Sequence, residues 1–298
     1  MAEGVITKAL SGFYYVTSGG ETFECRARGA FRRDGVSPLV GDRVTFDALK
    51  NGKGVINTLH ARKCAFVRPA VANIELLVFV ASNVIPVTDP YLIDRVAAVA
   101  EYAGCGFALC VNKADLDPGD TLAEIYASSG YPVIRTSAVS GVGLDSLRET
   151  IRGRICAFTG NTGVGKSSLL NALSPGLSLE TGEVSLKLGR GRHTTRHVEL
   201  FALPEDTYIA DTPGFASFDT EMMEPIPKEK LQETFPEFRP YLGGCRFADC
   251  AHLKEPGCAV LEAVEAGKIH QSRHAGYARL YALSAQHKDW EIRNPAGK

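Results

Sequence analysis

The sequence predicts a multidomain α/β protein in three consecutive units: a small all-β barrel over 1–62, an α/β unit with a mostly parallel sheet over 63–218, and a helical unit over 219–298. Three observations carry this. The first unit alternates polar and apolar residues in short runs broken by Gly, Pro and Asp. The second alternates apolar strand-like runs with helix-length patterns. The third loses the strand texture and gathers cysteines around a histidine. Each texture requires a different kind of core.

In the first unit, Gly12-Phe13-Tyr14-Tyr15-Val16 and the runs 22–27, 42–46 and 54–56 read as strands of a barrel of about five. In the second, 74–80 reads as a buried strand. A helix follows over 91–102, with Leu92, Val96 and Val99 at helical spacing. Strand 107–111, helix 121–128, strand 132–136 and helix 144–151 come next. Strand 154–158 then runs into a glycine loop, helix 166–173 leaves it, and Tyr208-Ile209-Ala210 is a further strand. Such alternation builds a parallel sheet covered on both faces. The third unit ends in a polar tail containing Trp290.

The composition is that of a globular protein: 298 residues, 45% hydrophobic and 22% charged, with net charge -1. A near-zero charge excludes a broad positive field, so any RNA contact must come from a local patch. The start, MAEGVITKAL, has no signal-peptide pattern, and the longest apolar stretch, 74–81, is far too short to cross a bilayer. A cytoplasmic protein that meets no membrane is expected, and nothing calls for more than a monomer. Its eight cysteines therefore read as thiols or metal ligands rather than disulfides. Cys25, Cys64, Cys105, Cys110 and Cys156 sit among apolar neighbours and are expected in the core.

Gly160-Asn161-Thr162-Gly163-Val164-Gly165-Lys166-Ser167 matches the phosphate-loop pattern and lies between an expected strand and helix. Its backbone N–H groups would curl around phosphates at a helix N-terminus. Lys166 would reach the β- and γ-phosphates, and Ser167 would ligate Mg²⁺. Asp211-Thr212-Pro213-Gly214 leaves a strand about 45 residues later, where Asp211 would hold the Mg²⁺ shell and Gly214 would offer its N–H to the γ-phosphate. Asn112-Lys113-Ala114-Asp115 ends another strand. The Asp115 carboxylate can accept from the N1–H and 2-amino group of guanine, whereas adenine would leave it unpaired. Ser137-Ala138 follows the next strand, where a backbone N–H would meet the guanine oxygen. GTP and GDP are thus the expected ligands. The guanine motifs precede the phosphate loop, the reverse of small GTPases, as in a circular permutation.

Cys245, Cys250, His252 and Cys258 supply three thiolates and one imidazole within fourteen residues. That set closes a tetrahedral zinc shell with no position left for water, so one structural Zn²⁺ is expected. A basic and aromatic group, Arg26, Arg28, Arg32 and Arg33 with Phe13, Tyr14, Tyr15, Phe23 and Phe31, suits looped RNA. It equally suits a barrel core with a solvated arginine rim, and both readings stand. A second basic run, Lys187, Arg190, Arg192, His193 and Arg196, lies between phosphate loop and switch.

The permuted order, GNTGVGKSSLLNAL, LGRGRHTTRHVEL, DTPGF and GCRFADCAHLKEPGCAV together resemble the RsgA family (YjeQ/YloQ type), over nearly the whole chain. That resemblance implies an N-terminal OB-fold β-barrel, a circularly permuted P-loop GTPase and a C-terminal helical zinc-binding domain. It also implies weak GTP hydrolysis stimulated by the small ribosomal subunit and its rRNA, in late maturation of that subunit. The family's motif residues map onto Asn112, Lys113, Asp115, Gly160 to Ser168, Cys245, Cys250, His252 and Cys258. Asn161-Thr162 replaces the Gln-Ser of many members, at positions that act mainly through backbone N–H. Ras-like enzymes orient water with a glutamine after the switch glycine. Here that residue is Phe215, so the group must come from elsewhere: His193 is the candidate, with Thr194 or Thr195 a magnesium ligand, the alternative being that His193 contacts rRNA phosphate. Two other functions are weighed, a GTP-dependent zinc metallochaperone and a module whose nucleotide is only structural. The closed zinc set speaks against the first.

Overall fold

The alternation of the first unit closes into a barrel. In a computed structural model, which describes residues 1–29, 31, 36–66, 70–174, 198–211 and 226–286, five strands form it. They are β1 (Ala2–Leu10), β2 (Phe13–Ser18), β3 (Glu21–Ala27), β4 (Arg43–Ala48) and β5 (Lys53–Leu59). The order is β1-β2-β3-β5-β4, and β4 returns to pair with β1, as in an OB-fold. The β3–β5 pair is parallel and the others antiparallel. Ile6, Val16, Cys25, Val44, Phe46 and Ile56 point inward and are fully buried. β1 was not expected from the alternation. Gly4 interrupts it, and an added Cβ there would press on the Thr17 carbonyl of β2.

The short strands β6 (Ala65–Phe66) and β7 (Val71–Ala72) pair between the barrel and the next unit. The second unit then gives β8 (Leu76–Ser82), α1 (Pro90–Tyr102), β9 (Gly106–Asn112), α2 (Asp120–Tyr126) and β10 (Val133–Arg135). It continues with α3 (Leu144–Ile151), β11 (Ile155–Thr159), α4 (Lys166–Leu173), β12 (Glu199–Leu203) and β13 (Thr207–Asp211). The sheet order is β10-β9-β8-β11-β13-β12, parallel except for β12, which runs antiparallel to β13. Every residue of β8 is buried, as a strand covered on both faces must be. Ile93, Val96 and Ala97 of α1 and Leu122 and Ile125 of α2 share one core with Leu77 and Phe79. Leu144 and Leu147 of α3 and Leu169 and Leu170 of α4 pack with Val78 and Val80 on the other face.

In the third unit, α5 (Lys228–Leu231) leads through two 3₁₀ turns to α6 (Ala259–Glu265) and α7 (Gln271–Ser284). Phe235, Phe238, Val260, Ile269 and Tyr277 fill its core, which Ala98 of α1 also enters. Among the described residues no helix is long and apolar enough to cross a membrane.

Candidate functional site

The chain leaves β11 at Thr159, between β8 and β13, and turns into α4 through residues 160–165. Two glycines make that turn possible. Gly160 has φ 140° and lies against the Val80 carbonyl of β8, where an added Cβ would collide. Gly165 has φ 90° and lies against the side-chain amide of Asn112. Val164 is buried beneath the loop, Asn161 is half-buried, and Thr162 and Gly163 face solvent. Ser167 is half-buried and Ser168 exposed on the first turn of α4, whose N-terminal dipole favours an anion. Lys166 folds back so that its Nζ donates to the Gly160 carbonyl at 2.8 Å. Burial pulls its ammonium down to about 8, a strain that a bound phosphate would relieve.

The base-reading segment is tied to this loop. Asn112 is the last residue of β9 and is 2% exposed. Its Nδ2 donates to the Val164 carbonyl at 2.9 Å, and its Oδ1 accepts from the Thr136 hydroxyl at 3.2 Å. The Cys110 thiol lies 3.1 Å from that hydroxyl, and since the Thr136 proton goes to Asn112, the thiol donates. A buried chain thus links β9, the segment after β10 and the phosphate loop. Lys113 adopts φ 65° and its Nζ donates to the Ile85 carbonyl at 2.8 Å. Asp115 is exposed, its carboxylate open to a base. The Ser137 N–H is spent on the Val142 carbonyl, at 2.9 Å, and among the described residues the Ala138 N–H makes no backbone hydrogen bond. Of the pair, Ala138 has the amide left for a ligand. Asn83 Nδ2 donates to Asp117 Oδ1 at 3.0 Å, and the Gly119 N–H donates to the same oxygen at 2.8 Å. The Gly119 bond first, then Asn83, holds the Asp117 carboxyl below its usual range.

Asp211 ends β13, next to the phosphate-loop strand. Thr212, Pro213, Gly214 and Phe215 lie outside the described residues, as do Lys187, Arg190, Arg192, His193, Thr194, Thr195 and Arg196.

In the third unit the ligand atoms of Cys245, Cys250, His252 and Cys258 lie within 4.8 Å of one another. The imidazole is aimed: Nδ1 is 3.3 Å from Cys258 Sγ and 3.5 Å from Cys245 Sγ, while Nε2 sits 2.7 Å from Gln232 Oε1. Gln232 therefore accepts the Nε2 proton and fixes the tautomer whose Nδ1 lone pair, like the thiolates, is free to ligate a metal. Three of the four ligands are buried, which fits a closed structural zinc site and not a delivery site.

The barrel's aromatics divide between the two readings left open by the sequence. Phe23 packs on Phe46 inside, with centroids 5.2 Å apart. Phe13 lies under the Arg26 guanidinium at 4.6 Å, and Arg28 reaches Asp47 at 4.0 Å. Arg32 and Arg33 fall outside the described residues.

The RsgA GTPase family model matches residues 59–221, more than half of the chain, and the RsgA N-terminal domain model matches residues 3–56. The chain belongs to the RsgA GTPase family. As a member it is a GTPase, a hydrolase acting on GTP. A relative from Geobacillus kaustophilus strain HTA426 is 47% identical over 294 residues, covering 97% of this chain and 99% of its own. One from Moorella thermoacetica is 45% identical, covering 94% and 96%. Both carry the name small ribosomal subunit biogenesis GTPase RsgA. The crystal structure of YjeQ from Thermotoga maritima matches with TM-score 0.83 and 34% identity, covering 96% of this chain and 99% of that one. YloQ, described as a circularly permuted GTPase, matches with TM-score 0.78 and 37% identity, covering 97% and 96%. Within this RsgA architecture, Cys110, Thr136, Asn83 and Gln232 are the supporting residues that sequence reasoning missed. Thr136, beside Ser137, carried the only available signal.

Proposed function

We propose that this protein hydrolyses GTP to GDP and phosphate during late maturation of the small ribosomal subunit, and that the subunit with its rRNA stimulates turnover. The observation that carries the reading is the hydrogen bond from Asn112 to Val164. It locks a guanine-reading loop to a phosphate loop although their order in the chain is reversed. The names of the relatives support the ribosomal role. The OB-fold unit spans 1–62 and contacts rRNA, the GTPase unit spans 63–218, and the zinc unit spans 219–298. The protein acts as a cytoplasmic monomer.

Asn112, Lys113, Asp115, Ser137 and Ala138 hold the guanine, with Asp115 setting specificity. Residues 160–168 wrap the phosphates, and Lys166 neutralises charge that grows on the transferred phosphoryl group. Ser167 and Asp211 would hold Mg²⁺, which would supply positive charge to offset the negative charge of the phosphates. Gly214 offers its N–H to the γ-phosphate. With Phe215 unable to orient water, His193 fills that role beside Thr194 and Thr195, so His193→Ala keeps GTP binding and subunit association but lowers stimulated turnover by at least ~10²-fold. Survival of stimulated turnover in that variant would assign the catalytic group to the ribosome. The overall test is GTP turnover with and without small subunits: stimulation is expected, and equal rates would defeat the reading.

A further inference from the structure

We propose that Lys8 and Glu199 are positioning residues that couple the barrel to the magnesium end of the GTPase sheet. The inference rests on the assignment of Asp211 to the magnesium shell and on ribosomal stimulation. Barrel and GTPase sheet are hydrogen-bonded into one eleven-stranded sheet, and among the described residues β1 and β12 meet at one registered pair, Lys8 opposite Glu199. On its other side Glu199 stands opposite Asp211 of β13. Lys8, Glu199 and Asp211 are therefore successive register partners across three antiparallel strands. Two strand spacings, roughly 10 Å in all, separate the barrel strand from the strand end that carries Asp211.

The side chains reinforce that row. Lys8 Nζ donates to both carboxylate oxygens of Glu199, each at 3.0 Å. Without the ammonium, β12 loses the side-chain tie that holds it to β1 at their registered pair. Lys8 thus pins β12, and through it the pairing partner β13, to the barrel. A force or a displacement at the barrel, where RNA docks in the proposed function, is transmitted by this row to the phosphate side of the site. The base side, at β9 and β10, lies at the opposite edge of the sheet and is not on this path.

The pair is partly exposed, at 36% and 40%, so it adds little to global stability and Lys8→Met should fold. In the isolated full chain, amide exchange over residues 207–211 should quicken by at least ~5-fold in Lys8→Met and stay at the wild-type rate in Lys8→Arg. At saturating small subunits, Lys8→Met should lower kcat by at least ~5-fold, with KM for GTP and unstimulated turnover within about 2-fold of wild type. Lys8→Arg, which keeps the paired donors, should restore the stimulated kcat. Unchanged exchange at 207–211 in Lys8→Met overturns the coupling, and so does a full stimulated kcat in that variant. If the wild-type protein itself is not stimulated, the ribosomal reading fails, and the exchange result alone then decides whether the row holds.

Discussion

Lys166 shows how one buried side chain can make ligand affinity depend on pH. Its folded value, about 8, is depressed because burial disfavours the ammonium. GTP phosphates favour that same ammonium, so binding takes up a proton wherever free Lys166 is neutral. Affinity should be flat below pH 8 and fall by nearly tenfold for each unit above it, until the bound form also deprotonates. Titration of GTP affinity by calorimetry between pH 7 and 9 checks this, and Lys166→Ala should abolish the slope along with most of the affinity. A flat wild-type profile would mean that the ammonium stays charged in the free loop. Asp115 gives a second residue-level outcome. Its exposed carboxylate is built to accept from N1–H and the 2-amino group, so Asp115→Asn should turn preference from GTP toward xanthosine triphosphate, whose 2-oxo group accepts from an amide. Wild-type protein binding ATP as tightly as GTP would refute the base reader.

At the scale of the element, the zinc knuckle can be dissected into ligand and support. Cys250→Ala removes a buried ligand and should melt the third unit while GTP affinity survives, because the nucleotide loops belong to β9, β10 and β11. Gln232→Ala should leave the fold but weaken zinc by roughly 10–100-fold, since it frees the Nε2 side of His252. Competition with a chelator, followed by circular dichroism, separates the two. The contrast also shows which elements could be read from sequence. The ligands crowd within fourteen residues and so announce themselves, whereas Gln232 stands twenty positions from His252 and reaches it only through the packing of the 3₁₀ turns. Helices α3 and α4 were legible to the residue, because each carries a clean apolar stripe between turn signals. Strand β12 was not: Leu200 is its only buried residue, so it shows no alternating pattern of burial, and it forms through pairing with β13 and Lys8. The same rule covers the site. Motif residues are local, but the bonds of Asn83 to Asp117 and of Thr136 to Asn112 depend on which strands the sheet sets side by side.

At the scale of the whole molecule, the zinc unit is fastened to the GTPase unit through a buried charge cluster. Arg273 of α7 is fully buried, and its guanidinium donates to Glu237 Oε1 at 2.6 Å and, through its other arm, to Asp94 of α1. Tyr126 of α2 adds a hydroxyl bond to Asp94 at 2.7 Å, and its ring lies 5.0 Å from the guanidinium. Helix α7 can approach this closely because residue 276 is glycine, where an added Cβ would collide with the Asp94 carboxylate. Burial raises the Asp94 carboxyl, and Arg273 pulls it back down. Removing the guanidinium leaves two buried carboxylates without a counter-charge, so Arg273→Ala should cost about 3–5 kcal/mol at neutral pH. The pH dependence follows in sign. In the variant the folded Asp94 carboxyl, raised by burial and no longer opposed by Arg273, holds its proton more tightly than when unfolded, so the folded state binds more protons and stability rises as pH falls. The gap between wild type and Arg273→Ala should therefore narrow from pH 8 to pH 5 in urea unfolding. A combined replacement, Asp94→Leu with Glu237→Met and Arg273→Met, should recover much of the loss, because an apolar set of similar volume has no charge to desolvate. A gap that stays constant with pH would show that Arg273 contributes through packing on Tyr126 and Phe235 and not through its charge.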